Sequence, residues 1–287
     1  MRILHLDTGR EMRGGQWQVL RLHLGLLEQG HESCLLVRAG SPLLQHGGAR
    51  LRAARLPQMS RRFDVVHAHD ARSHTLGALL SCAPLVVSRR VAFPVRQSAA
   101  SRWKYRKPQL FLAVSRFVAG ELKRAGVDEA RIGVVHDGVP LPSEAARGDA
   151  ILVPDTDDPE KGRALAEAAA GRVDLTLRRS SNLEADMPGA KALVYLSRSE
   201  GLGSGILLGM AHGLTVIASN VGGIPELIED GVNGILVPND EAAVAGAFAR
   251  IDPALGNAAR ETVKAHFTVE HMVRRTLAAY SRVLADV

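Results

Sequence analysis

The sequence predicts an α/β protein made of two doubly wound parallel-sheet domains. Three observations carry that expectation. Short apolar runs alternate with helix-like runs almost from end to end. The alternation stops at a turn-rich break, Gly138-Val139-Pro140-Leu141-Pro142-Ser143, and then restarts. Glycine-rich loops follow several strand-like runs and open helices. Repeated β-α alternation with wholly apolar strands favours a parallel sheet covered by helices on both faces.

In the first half, residues 3–6 read as a strand, followed by a loop holding Gly9, Gly14 and Gly15. Residues 16–29 carry Val19, Leu20, Leu24 and Leu27 at helical spacing, and Gly30 closes the run. Further strands are expected at 33–37, 65–69, 85–88, 110–114 and 132–135, with helices through 76–80 and over 116–125. In the second half the order is strand 150–153, helix 162–170, strands 174–177 and 192–196, helix 206–212, strand 215–218, helix 225–229 and strand 234–237. Helices at 241–250, 255–267 and 269–285 finish the chain. The turn-rich break divides the chain into domains 1–143 and 144–287, with the last helix a candidate to pack back on the first domain. Two such domains are expected to face each other across a cleft, and ligands of open α/β sheets sit beyond the carboxyl ends of the strands.

Composition narrows the function classes. The chain has 287 residues, 46% hydrophobic and 23% charged, which excludes disorder, collagen and coiled coil. The longest apolar runs fall far short of the ~20 residues of a membrane-spanning helix. Asp7 arrives too early for a signal peptide. Cys34 and Cys82 make neither a disulfide framework nor a structural zinc site, and read as free thiols of a cytoplasmic protein. The net charge is +6, and Arg89, Arg90, Arg96, Arg102, Lys104, Arg106 and Lys107 concentrate part of it. Such a stretch suits nucleic acid, an anionic lipid surface or a phosphorylated small molecule, or is simply a solvated face. Aromatic residues are 4% and rarely interleave with these cations, so nucleic acid is not an expected partner.

The most informative segment is Ser199-Glu200-Gly201-Leu202-Gly203-Ser204-Gly205-Ile206. An acid ends a strand, and a loop with three glycines then opens a helix. Backbone N–H groups there can approach a ligand closely, and a helix N-terminus favours negative charge. A phosphate suits Ser204 and Gly205. Glu200 repels phosphate and instead suits sugar hydroxyls, which together point to a sugar phosphate or sugar nucleotide. A packing turn is the plain alternative. Ser219-Asn220-Val221-Gly222-Gly223-Ile224-Pro225-Glu226 follows the next strand, and Pro225 suits a first helical turn.

Residues 200–213, then Val216 to Glu226, then Gly231-Val232-Asn233-Gly234-Ile235-Leu236-Val237, resemble the retaining glycosyltransferases of family four, also called group one. Gly14-Gly15, Asp64-Val65-Val66-His67-Ala68-His69-Asp70, Ala113-Val114-Ser115 and Val134-Val135-His136-Asp137-Gly138-Val139 resemble motifs of the family's first half. The resemblance implies the GT-B fold, two Rossmann-like domains facing across a cleft. It implies transfer of a sugar from a nucleoside diphosphate donor, with retention and with no metal or other cofactor. It places the donor mainly on the C-terminal domain, here on Gly14, Gly15, Lys161, Glu200, Gly203, Ser204 and Gly205, and makes Glu200, Lys161 and Arg90 the catalytic candidates. His69, Asp70 and Arg89 are the acceptor candidates.

Three positions depart from the family pattern. The first-loop arginine falls on Asp155, the second glutamate on Leu208, and the histidine after the fourth strand on Arg90. The stretch between Lys161 and Glu200 is also short for the family, which implies a reduced donor domain. These departures keep open a relative that binds a sugar nucleotide or a protein partner without turnover. Asp155-Thr156-Asp157 has the spacing of a metal motif, and His67 and His69 share a strand face, but no third ligand is evident and no metal is expected. The stretch after Arg89 also resembles a loop of relatives acting on lipopolysaccharide and other cell-surface polysaccharides. That implies an anionic or lipid-linked acceptor and peripheral contact with the inner membrane face.

Overall fold

The structure is a computed structural model and describes residues 1–96 and 98–285. The chain divides into two compact units, Met1–Asp137 with Val269–Val287, and Gly138–Thr268. The division thus falls at the start of the turn-rich break, six residues before the expected domain boundary.

In the first unit, strands β1 (Arg2–Asp7), β2 (Glu32–Val37), β3 (Ala49–Arg50), β4 (Val65–Ala68), β5 (Leu85–Arg89), β6 (Leu110–Ala113) and β7 (Ile132–Val134) form a sheet in the order β3-β2-β1-β4-β5-β6-β7. Every pairing in it is parallel. The helices are α1 (Gly14–Glu28), α2 (Leu56–Ser60), α3 (Ala71–Leu80), α4 (Ala99–Arg106) and α5 (Arg116–Arg124). The strand order reverses its direction of growth at β1, whose carboxyl end is therefore a natural ligand position.

In the second unit, β8 (Ala150–Pro154), β9 (Arg178–Ser180), β10 (Ala190–Tyr195), β11 (Thr215–Ser219) and β12 (Ile235–Val237) form a parallel sheet ordered β12-β11-β10-β8-β9. Helices α6 (Arg163–Gly171), α7 (Leu183–Asp186), α8 (Ser204–Ala211), α9 (Glu241–Phe248) and α10 (Pro253–His266) surround it. The last helix, α11 (Val269–Ala285), belongs to the first unit. Its Met272, Val273, Tyr280 and Val283 join Ile3, Leu22, Leu26, Val65, Val86, Leu110 and Leu112 in one buried core. Tyr280 is fully buried there, with its hydroxyl against His67 Nδ1 at 2.6 Å.

Three local expectations change. The strand expected at 174–177 is the turn that closes α6. Asp174 takes a left-handed φ of 54°, and Leu175 N donates to Ala170 O. The strand begins at Arg178 instead, paired with Leu152. The helix expected at 225–229 is one 3-10 turn, Ile224–Glu226. The helix α4, with no buried residue, was not expected at all, because a helix without an apolar face leaves no periodic signal.

Candidate functional site

In the second unit the candidate residues gather around Tyr195, at the end of β10. Lys161 Nζ lies 2.7 Å from Glu200 Oε2, and it stands 5.7 Å from the centre of the Tyr195 ring. The Tyr195 hydroxyl donates to the same Glu200 oxygen at 3.4 Å. Burial and the adjacent Glu200 carboxylate both raise the Tyr195 pKa, so the hydroxyl stays protonated and keeps donating. The Tyr195 ring also packs on Gly205, where a Cβ would come within 2.8 Å of it. Tyr195 therefore brings Lys161, Glu200 and the start of α8 together. Its place at a strand end, directly before the glycine loop, was the available signal.

The loop after β10 is held by a set of hydrogen bonds. Ser197 N donates to Ser219 Oγ at 2.9 Å, Ser219 Oγ donates to Asn239 Oδ1 at 2.6 Å, and Asn239 Nδ2 donates to Ser197 O at 2.9 Å. The second glycine loop clamps the first. Gly223 N donates to Glu200 O at 3.1 Å, and Gly222, at φ 58°, lies where a Cβ would sit 2.0 Å from that oxygen. Gly203, at φ 105°, caps α8 without a side chain, so the first amides of α8 face no capping oxygen. Ser204, Gly205 and Leu208 are all partly exposed. The Lys161 and Glu200 side chains keep 33% and 17% of their surface, so the pair is reachable from solvent. Asp155 and Asp157 both close on Arg163, at 2.8 and 2.6 Å.

The first unit holds a different cluster, at the ends of β1, β4 and β5. His5, His67 and His69 are buried, and a ring nitrogen from each lies within 4.8 Å of the others. His5 is the third imidazole that sequence reasoning lacked; parallel pairing sets it opposite His67. The trio has the composition of a metal site, but its nitrogens are largely engaged. Arg90 Nη1 donates to His69 Nδ1 at 3.3 Å. A guanidinium only donates, so neutral His69 carries its proton on Nε2 and donates to His5 Nδ1 at 2.8 Å. His5 is then protonated on Nε2, which has no partner among the described residues. His67 spans the Tyr280 hydroxyl and Ser88 Oγ, at 2.6 and 2.8 Å. Burial, the neighbouring imidazoles and Arg90 lower all three pKa values, that of His5 to about 3.

The remaining candidates are placed as follows. Arg90 also donates to Asp137 at 3.1 Å and keeps 15% of its side-chain surface. Burial raises the Asp137 pKa against the pull of Arg90. Asp70 caps α3, accepting from Thr8 N, Thr8 Oγ1, Arg72 N and Ser73 N. Arg89 donates to the Tyr105 hydroxyl and to Phe93 O. Gly14 and Gly15 open α1, which has no side-chain cap.

Comparison with known proteins agrees with this architecture. Residues 12–142 match the family model described as Glycosyltransferase Family 4, and residues 132–251 match that described as Glycosyl transferases group 1. The D-inositol 3-phosphate glycosyltransferase of Mycolicibacterium vanbaalenii is 36% identical over 101 residues, which cover 34% of this chain and 22% of that protein. The chain thus matches about a fifth of that relative's length. The structure of Anabaena Alr3699/HepE in complex with UDP and glucose superposes with a TM-score of 0.82 at 16% identity, over 98% of this chain and 99% of that one. A glycosyltransferase from Rickettsia africae gives a TM-score of 0.82 at 18% identity, over 100% and 99%. The two parallel-sheet units match the GT-B fold, the two family models run without a break from residue 12 to residue 251, and the chain belongs to the family 4, group 1 glycosyltransferases.

Proposed function

We propose that this chain transfers a sugar from a nucleoside diphosphate donor to a glycan or lipid-linked acceptor of the cell surface, with retention of configuration and without a metal. The observation that carries the reading is the solvent-reachable Lys161–Glu200 pair beside the uncapped start of α8. Charge develops on the diphosphate as the sugar departs, and preorganised cations and amides aimed at it lower that barrier. An ammonium has three N–H donors, so Lys161 can hold Glu200 and a phosphate oxygen together. The α8 amides add a second anion contact, and Glu200 accepts hydroxyl protons of the sugar. The Anabaena neighbour, described with UDP and glucose, is in keeping with that donor class. Asp155 and Asp157, which have the spacing of a metal motif, both pair with Arg163 instead.

The test is a thermal-shift screen of nucleoside diphosphate sugars, followed by hydrolysis and transfer assays. One donor is expected to stabilise the protein and to be slowly hydrolysed, with EDTA leaving the rate unchanged. Stabilisation with neither hydrolysis nor transfer to any acceptor would instead make the chain a sugar-nucleotide binder. Activity lost in EDTA and restored by magnesium would overturn metal independence.

We place the reaction in the cytoplasm, at the inner membrane face. No helix of the described residues is long and apolar enough to cross a membrane, so contact would be peripheral. Helix α4 buries nothing and presents Arg102 and Arg106 with Trp103, near exposed Val91 and Phe93. Each cation beside an anionic leaflet contributes about 1 kcal/mol. Sedimentation with anionic vesicles should weaken when Arg102, Arg106 and Lys107 become Gln. Lys104 is left intact because its ammonium donates to Ala71 O at 2.6 Å. Equal pelleting with neutral and anionic vesicles would remove the membrane contact alone.

A further inference from the structure

We infer that a hollow at the carboxyl ends of β1, β2 and β3 binds the phosphate group of a phosphorylated sugar through Arg38 and Arg72. The hollow measures about 570 Å³, within the usual range for small-molecule sites. Each wall comes from a residue just past a strand end or from the first turns of α3. Thr8 follows β1, Arg38 and Ala39 follow β2, and Leu51 follows β3. Arg72, Thr75 and Leu76 close it from α3.

Four arginines of this unit are committed elsewhere. Arg89, Arg90, Arg124 and Arg131 all donate to named partners. The Arg38 and Arg72 side chains have no hydrogen bond or ion pair among the described residues. The nearby Asp70 carboxylate does not pair with the Arg72 guanidinium, because its oxygens accept from Thr8, from Ser73 and from the Arg72 backbone. Both guanidiniums line the one hollow, where a phosphate would gain attraction from each. Their planar forks match phosphate oxygens in pairs. Leu51, Ala53 and Leu76 supply apolar surface for a sugar ring, and Thr75 a hydroxyl for orientation.

That this ligand is the acceptor rests on the transferase reading; the binding itself does not. Calorimetry on the full chain tests it, with glucose 6-phosphate and glucose as probes. Glucose 6-phosphate is expected to bind at least tenfold more tightly than glucose. Arg38→Gln and Arg72→Gln should each weaken it about tenfold, while the affinity for UDP-glucose stays unchanged. Phosphatidylcholine vesicles carrying phosphatidylinositol 4-phosphate form a second arm. Pelleting with these vesicles that needs Arg38 and Arg72, with no glucose 6-phosphate binding, would assign the phosphate to a lipid headgroup and support the same site. Binding of neither probe, or binding indifferent to the double variant, overturns the inference. If UDP-glucose still binds in those samples the transferase reading survives. If the phosphate binds but no nucleotide sugar does, the site stands and that reading falls.

Discussion

The two candidate clusters use similar residue types in opposite ways. In the first unit, His5, His69, Arg90 and Asp137 form a chain of hydrogen bonds, His67 beside them bonds to Tyr280 and Ser88, and one nitrogen, that of His5, stays open. In the second, Lys161 and Glu200 pair in a place that solvent reaches. Burial in the first cluster suppresses ionisation, so its imidazoles remain neutral and hold positions. The second cluster keeps a cation with unused donors next to uncapped helix amides, which is what binding a diphosphate requires. Polar residues that look reactive in sequence thus separate into those that brace a sheet and those that can meet a ligand.

The largest expected effect sharpens the open side of that comparison. Lys161→Ala should lower kcat/KM for transfer by about 10²–10³, equivalent to about 3–4 kcal/mol of lost transition-state stabilisation, as for removal of a preorganised charge contact. Stability should barely change, because exposed ion pairs contribute little. Steady-state kinetics and a melting curve on the same sample separate the two. Full activity in this variant would make the pair a surface feature.

The next prediction tests the closed side. His5 and His74 titrate at about 3 in the fold, both chiefly because of burial, against 6.5 for a free imidazole. The unfolded chain therefore takes these protons first, and stability present above pH 6.5 is lost as pH falls toward 3. Each imidazole forfeits about 2 kcal/mol between pH 6.5 and pH 5. His67 and His69 are shifted in the same direction. Asp7 and Asp137, raised by burial, bind protons first in the folded state and oppose this trend. His23, His31 and His212 are lowered too, so with seven imidazoles against two carboxyls, urea midpoints should fall from pH 7 to pH 5. A level profile would mean that the histidines already ionise in the fold, and the contrast between the clusters would disappear.

Backbone space gives a smaller effect. Gly222→Ala puts a Cβ against Glu200 O from a left-handed backbone, which costs about 1–2 kcal/mol in conformation before the clash. It should shift Glu200 and reduce both stability and turnover. At Gly15 a Cβ meets nothing within 4 Å, so Gly15→Ala should leave stability level or slightly higher. Any loss of activity there reports a ligand lying close to the backbone. Equal behaviour of the two variants would mean that the second glycine loop does not hold the first.

Much of the fold was legible because parallel strands are apolar throughout and their helices keep a 3.6-residue period. Leu110, Phe111, Leu112 and Ala113, all buried, form such a strand. Helix α4 and strand β9 were illegible for the same reason in reverse, as one buries nothing and the other is Arg178-Arg179-Ser180. For the site, the glycine loops and Lys161 could be placed by their spacing. His5 could not, because strand register brings it in, opposite His67. Asp155 had the look of a departure from the diphosphate contacts, and its pairing with Arg163 depends on a helix start that only the fold supplies.

The smallest expected effect concerns Asp70, where sequence and structure suggest different duties. As a candidate for acceptor hydroxyls it would need free lone pairs. Its carboxylate instead accepts from Arg72 N and Ser73 N at 2.8 and 3.0 Å, and from Thr8 N and Thr8 Oγ1 at 2.6 and 2.7 Å. Ser73 Oγ in turn accepts from Asp70 N, which completes a capping box. Removing such a cap costs about 1 kcal/mol, and a residue that still caps recovers most of it. Asp70→Ala should therefore lower the melting temperature by a few degrees. Asp70→Ser should recover part of that, since it restores the bond to the helix but not those to Thr8. Asp70→Asn keeps one oxygen for the helix and turns an amide donor toward Thr8 N–H, so it should fall between the two. If Asp70 acts only as a cap, the acceptor KM follows stability across the three variants. A KM that rises equally in all three while stability recovers in Ser would return Asp70 to the acceptor, and would make the closed cluster open at that edge.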